Sequence, residues 1–131
     1  MIRGSCLCGG IRFEAASVPF MAHCHCSMCR KAGGAAFSAN AEVASANFRW
    51  LEGRELLSEF PSSPQRRKVF CSRCGSPIYS RRTSLPDALR IRAGLVDQPL
   101  PVGPAFHQHV ASKANWWTIS DGIKQFPGAV S

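Results

Sequence analysis

Nowhere in the 131 residues does an apolar run approach the roughly 18–20 positions that a membrane-spanning helix needs. The first residues, Met1-Ile2-Arg3-Gly4-Ser5, lead straight into Cys6 without the apolar core of a signal peptide. The expected setting is therefore cytoplasmic, where thiols stay reduced and clustered cysteines mean metal or redox chemistry. Acidic residues are scarce: eight Asp and Glu stand against sixteen Lys and Arg, a formal charge of +8. That balance points weakly to anionic partners, but the cations are dispersed and no nucleic-acid-binding motif occurs, which disfavours nucleic acid. No window keeps a helical period over three turns, and no repeat, low-complexity tract or linker divides the chain. Length and these absences imply one domain over residues 1–131, with a modest core and no signature of oligomeric state.

Against these absences stand seven cysteines, in the groups Cys6-x-Cys8, Cys24-x-Cys26-x-x-Cys29 and Cys71-x-x-Cys74. An odd number argues against a closed disulfide framework. Thiolates at this density are what zinc selects, and Cys-x-x-Cys is the usual bite of a metal knuckle. Seven divides into four plus three. Four thiolates close a structural site, whereas three leave a position for water or substrate. Two pairings compete. Cys6 and Cys8 can join Cys71 and Cys74, leaving Cys24, Cys26 and Cys29 as a second site. Alternatively Cys26/Cys29 and Cys71/Cys74 form a zinc ribbon, with Cys6, Cys8 and Cys24 left over. Spacing alone does not choose between them. A redox reading of Cys71-x-x-Cys74 is disfavoured because its βαβ context is missing.

The rest of the chain reads as short strands between turns. Alternation marks Ile11–Ala15 and Leu89–Ala93, and Phe20–His23, Phe37–Val43 and Pro77–Ser80 also read as short strands. Phe48–Leu51 and Leu56–Phe60 suggest a hairpin turning at Glu52-Gly53-Arg54. Ala32–Ala35 reads as a turn, residues 62–65 as a loop, and Pro99–Pro104 as irregular. Ala105–Val110 suggests a strand with His107 and His109 on one face. Adjacent Trp116 and Trp117, if in a strand, point to opposite faces, one of them to the core. Arg66-Arg67-Lys68 is a basic run whose plain reading is a solvated face. The fold class is all-β.

Gly4-Ser5-Cys6-Leu7-Cys8-Gly9, His23-Cys24-His25-Cys26-Ser27-Met28-Cys29-Arg30-Lys31 and Phe70-Cys71-Ser72-Arg73-Cys74-Gly75-Ser76 resemble the three cysteine signatures of one family. It is the glutathione-dependent formaldehyde-activating enzyme family, which also includes centromere protein V. The tail His109-Val110-x-x-Lys113-Ala114-x-Trp116, with Ile119-x-Asp121, is similar to its C-terminal pattern. The resemblance implies an Mss4-like β-tent of short antiparallel strands stapled by zinc. It also implies a structural zinc on Cys6, Cys8, Cys71 and Cys74, and a second, catalytic-type zinc on Cys24, Cys26 and Cys29. The implied activity is condensation of glutathione with formaldehyde to S-hydroxymethylglutathione, a carbon–sulfur lyase reaction in reverse.

Such chemistry needs a thiolate, a carbonyl and a proton donor. His23 and His25 are the expected proton carriers, since a neutral imidazole suits that work near pH 7. Arg30 and Lys31, with the 66–68 run, are the expected clamps for glutathione carboxylates. The partners expected are a small thiol and an aldehyde. The rival reading is a non-catalytic, zinc-stapled module that binds a protein or nucleic acid.

Overall fold

In the computed structural model, which describes residues 1–130, the short alternating segments become eleven strands around one short helix. Strands β1 (Ile2–Ser5), β2 (Arg12–Ala15) and β5 (Phe48–Glu52) form a three-stranded antiparallel sheet. The other strands are β3 (Phe20–Cys24), β4 (Ser38–Ala44), β6 (Leu57–Ser63), β7 (Arg66–Cys71), β8 (Pro77–Arg82), β9 (Leu85–Arg92), β10 (Pro104–Gln108) and β11 (Lys124–Gln125). They make a second sheet in the order β11-β10-β3-β4-β9-β8-β7-β6. The molecule is mostly β, but not antiparallel throughout: β10 runs parallel to both β3 and β11.

Period-two alternation gives the large sheet two chemically different faces. Met21, Ala41, Val43 and Ile91 point inward against Phe13 and Ala15 of the small sheet, making the main core. Phe13 is fully buried and meets Phe48 and the edge of Trp50 at centroid distances of 5.3 and 6.2 Å. Burial of one such ring contributes on the order of 2 kcal/mol. The alternate residues Cys24, Asn40, Ser80 and Arg90 lie on the other face, where the polar chemistry collects.

Several expectations are corrected. Phe48–Leu51 and Leu56–Phe60 do not form a hairpin: β5 pairs with β2, and β6 with β7. The cause is Gly53, at φ 79°, packed so closely on the Gly10 carbonyl that a side chain would collide. A 3₁₀ turn over Arg54–Leu56 then carries the chain into the other sheet. Ala32 and Gly33 do not lie in a turn but close a helix, α1 (Ser27–Gly33), too short to leave a periodic signature. Residues 62 and 63 extend β6. β10 ends at Gln108, because His109 adopts φ 56° and opens a 3₁₀ turn; His107 and His109 therefore share no strand face. Trp116 and Trp117 lie outside any strand, and neither is buried (67% and 39% exposed). Among the described residues no helix is long and apolar enough to cross a membrane.

Candidate metal centres and the adjoining cavities

The first cysteine cluster is built from two turns of the same design. Cys6 and Cys8 occupy the turn between β1 and β2; Cys71 ends β7 and Cys74 lies in the turn to β8. Gly9 N–H donates to the Cys6 carbonyl at 2.9 Å, and Gly75 N–H to the Cys71 carbonyl at 2.8 Å. Both glycines take positive φ, 75° and 79°, which the tight reversal behind each first thiol requires. Ile11 N–H donates to Cys6 Sγ and Arg73 Nε–H to Cys8 Sγ, each at 3.3 Å. The four sulfurs lie within 4.8 Å of one another, Cys6–Cys8 at 3.5 Å and Cys8–Cys71 at 3.9 Å. Thiolates about 2.3 Å from a tetrahedral zinc stand about 3.8 Å apart, so the spacing fits that ion.

The surroundings favour thiolate here. The Gly10 amide and then the Arg73 guanidinium hold the Cys8 thiol below its ordinary pKa. Bonds from the Ser76 hydroxyl, 3.4 Å away, and from the Ser76 amide bring Cys74 down to about 5. Burial pushes Cys71 the other way. Ile11 and Ile78 pack around Cys6 and Cys71, so this cluster is also the centre of a second, smaller core.

The second cluster is local. Cys24 ends β3, Cys26 is the N-cap of α1, and Cys29 sits in its first turn. The Cys26 sulfur takes the place of the usual capping oxygen, accepting from Cys29 N–H at 3.3 Å. The three sulfurs again lie within 4.8 Å of one another. The Cys29 thiol is pulled far below its ordinary pKa by bonds from Cys24 and Cys26, with Lys68 Nζ adding its charge from 3.5 Å. Cys24, as donor to its neighbours, is pushed up. The structure thus groups the thiols four and three, and the ribbon pairing of Cys26/Cys29 with Cys71/Cys74 does not occur.

The triplet opens into a cavity of about 110 Å³, where Lys68, Arg66, Arg90 and His109 join the thiols. Met28, Ser62 and Lys68 also line a neighbouring cavity of about 430 Å³, walled by Phe60, Phe70 and Tyr79 with Lys31 and Arg92 at its edge. Of the two cations that follow the triplet in sequence, Lys31 therefore faces the larger cavity. Arg30 Nε is buried with no hydrogen-bond partner. Of the basic run, Arg66 and Lys68 reach the triplet cavity, whereas Arg67 turns away to the carbonyls of Ser63, Pro64 and Arg66.

The other three histidines gather elsewhere. His23 projects from the face of β3 opposite Cys24, stacked on Phe37 at 4.2 Å. His25, fully buried, bonds through Nε2 to His107 Nδ1 at 3.0 Å, and His107 Nε2 meets Asp121 Oδ2 at 2.8 Å. Nδ1 of His23 and of His25 are buried and unpartnered. Burial, reinforced by the charges of His107 and His23, lowers His25 to about 4 and so keeps it neutral near pH 7. Sequence reasoning missed Asn40, Arg90 and Gln108 on the triplet cavity and Asp121 behind His107. The alternation Leu89-Arg90-Ile91-Arg92 carried the signal for Arg90, since it puts both arginines opposite a core residue.

Three comparisons bear on this arrangement. A Halomonas elongata protein, provisionally named a glutathione-dependent formaldehyde-activating enzyme, is 33% identical over 130 residues, covering 91% of this chain and 81% of its own. A crystal structure of a Rhodobacter sphaeroides protein superposes with a TM-score of 0.64 at 23% identity, over 76% of this chain and 91% of that one, and shares the fold. The sequence pattern of the family named "Glutathione-dependent formaldehyde-activating enzyme" runs through residues 1–112, across both cysteine clusters and most of both sheets. The chain belongs to that family.

Proposed function

We propose that this protein is a zinc-dependent carbon–sulfur lyase-type enzyme, joining a small thiol to an aldehyde and parting them in the reverse direction. Glutathione and formaldehyde are the substrates that family membership favours. The observation that carries the reading is the contrast in ligand number: four sulfurs close around one point, but only three converge where a cationic cavity begins. The proposal takes residues 1–131 as one zinc-binding domain of Mss4-like type, with a structural zinc on Cys6, Cys8, Cys71 and Cys74. Cys24, Cys26 and Cys29 would hold the second zinc, which supplies a Lewis-acid position that favours thiolate over thiol and polarises a carbonyl.

In the synthetic direction the thiol sulfur attacks the aldehyde carbon. A C–S bond forms, the C=O π pair moves to oxygen, and the thiol's proton ends on that oxygen as the hydroxyl of the thiohemiacetal. Lys68, beside Cys29, places a positive charge where thiolate and alkoxide develop. His25 does not line the triplet cavity and is assigned a supporting part in the proton traffic, through its hydrogen-bonded chain to His107 and Asp121 with His23 packed behind. His109 is the imidazole that opens on the cavity. Arg30 and Lys31 are assigned to substrate carboxylates, and Lys31 has access from the larger cavity.

The test follows ¹³C-formaldehyde by NMR with glutathione and the zinc-loaded protein. S-hydroxymethylglutathione should form faster than in buffer with the same zinc, and Cys29→Ser should remove the acceleration. Rates equal to buffer for the intact protein would replace this reading with a zinc-stapled binding module.

A further inference from the structure

Most arginines on the two sheets have an answering group. Arg81 holds Glu59 through three bonds of 3.1, 2.9 and 3.1 Å. Arg3 and Arg49 bracket the buried carboxylate of Glu14. Arg92 Nη1 donates to Asn40 Oδ1 at 2.5 Å. Arg66, Arg82 and Arg90 are different.

Arg66 of β7 and Arg82 of β8 are register partners, so two like charges face each other directly across one ladder. Arg90 of β9 enters the same small cleft, where Glu42 is the one carboxylate, 4.0 Å from Arg90. Burial and the repulsion of Arg66 and Arg90 lower the Arg82 guanidinium from its ordinary value. Its Nε is buried and bonded to nothing. Like charges directly opposite on a sheet destabilise it. Arg81 also lines the cleft but is matched by Glu59; the other three guanidiniums against Glu42 leave about two positive charges to be met, with no further carboxylate in the lining.

Position makes this more than a local oddity. Arg66, Ser80 and Arg90 line both this cleft and the cavity that holds Cys24, Cys26 and Cys29. An extended molecule can therefore rest one end on the guanidiniums and bring its other end to the thiols. We propose that Arg66, Arg82 and Arg90 form a subsite for a phosphate-class dianion, carried on the far end of the thiol substrate. A phosphate monoester brings about −1.5 to −2 charges near pH 7 and oxygens that suit guanidinium forks. One carboxylate of glutathione would leave a charge unmatched, and its ammonium would add another. The anion subsite stands on the cleft alone; its link to the thiol substrate rests on the reaction proposed above.

The test uses the full zinc-loaded chain and inorganic phosphate. Phosphate should raise the thermal midpoint by several degrees over chloride at equal ionic strength, since it binds the native state. Arg82→Gln should be no less stable without phosphate, because a repulsion is removed, yet should bind phosphate about tenfold more weakly. Arg66→Gln should behave likewise if Arg82→Gln folds poorly, and Arg12→Gln, on β2 of the other sheet, should keep the full response. Absence of a phosphate response, or an equal response in Arg82→Gln and Arg66→Gln, overturns the subsite.

The second arm compares pantetheine with pantetheine 4′-phosphate as the thiol for formaldehyde. The phosphorylated thiol should show a kcat/KM about tenfold higher, and Arg82→Gln should erase the advantage while sparing the reaction of pantetheine. Equal use of the two thiols by the intact protein overturns the assignment to the thiol substrate. If neither thiol reacts while phosphate still binds, the reaction reading fails and the subsite stands.

Discussion

The two cysteine clusters use the same donor atom at similar spacing but differ in how much chain they join. Cys8 and Cys71 are 63 residues apart in sequence, and their cluster ties the three-stranded sheet to β7 of the large one. Cys24, Cys26 and Cys29 span six residues at one strand–helix junction. Loop-closure entropy grows with the logarithm of loop length, so the long-range tie constrains the unfolded chain more, by about 2 kcal/mol for a tenfold longer loop. The surroundings differ as well. Around the four-sulfur cluster, Ile11 and Ile78 pack on Cys6 and Cys71, while Cys8 is exposed and Cys74 half-buried. Around the triplet, one side is a cavity with three cations. On the proposed reading, the cluster that closes distant chain serves folding, whereas the one confined to a short segment leaves room for a reactant.

The sharpest break between the two is mutational. Cys71→Ser should cost several kcal/mol and strongly lower solubility, since a structural zinc site in a small domain contributes on the order of 10 kcal/mol at neutral pH. Cys26→Ser should remove one metal but cost less than about 2 kcal/mol of stability, since serine supplies the usual capping oxygen in place of the sulfur. Denaturation midpoints set beside zinc content check this pair, and equal unfolding by both changes would erase the distinction.

Metal removal gives a graded version. The protein should carry about two zinc ions, and a chelator should take the triplet's first with circular dichroism unchanged, then unfold the chain as the second leaves. Simultaneous release with unfolding would make the clusters equivalent. A smaller effect comes from Lys68. Its charge helps hold Cys29 as thiolate, so Lys68→Ala should raise the pH at which the triplet ionises, with the fold intact. Thiolate absorbance near 240 nm, read after the triplet's metal alone has been removed, follows that shift.

The smallest expected effect concerns His25. Its folded pKa of about 4 lies below the ordinary 6.5, so the folded state binds fewer protons than the unfolded between those values. Its contribution to stability is present above about pH 6.5 and is lost as pH falls toward 4. NMR should show the His25 ring unprotonated at pH 5.5, and a midpoint near 6.5 would contradict the buried, His107-bonded environment.

Much of this was legible in the residues, and what was not has physical causes. The spacing of thiols separated three groups, and alternation located β2 and part of β9, because a strand with one buried face writes its period into composition; β3, β4, β5 and β8 were legible as short apolar segments between turns. The grouping of Cys6 and Cys8 with Cys71 and Cys74 is a long-range contact that spacing does not encode. The helix α1 was hidden because seven residues hold too few repeats, and three of its positions serve metal spacing and polar exposure instead of a core. The failed hairpin came from a single glycine packed on Gly10, a contact with no local signal. The unmatched arginines were read as scattered charge, since only the register brings Arg66 opposite Arg82.

The central claim is that one cluster is closed and the other open, and cobalt substitution tests it most directly. With Co²⁺ in both clusters, glutathione should shift the ligand-field and thiolate charge-transfer bands of one metal ion and leave the other unchanged. In Cys29→Ser no shift should remain, while the spectrum of the four-thiolate site persists. A spectrum indifferent to thiol in the intact protein, or two metal ions that respond alike, would contradict the account.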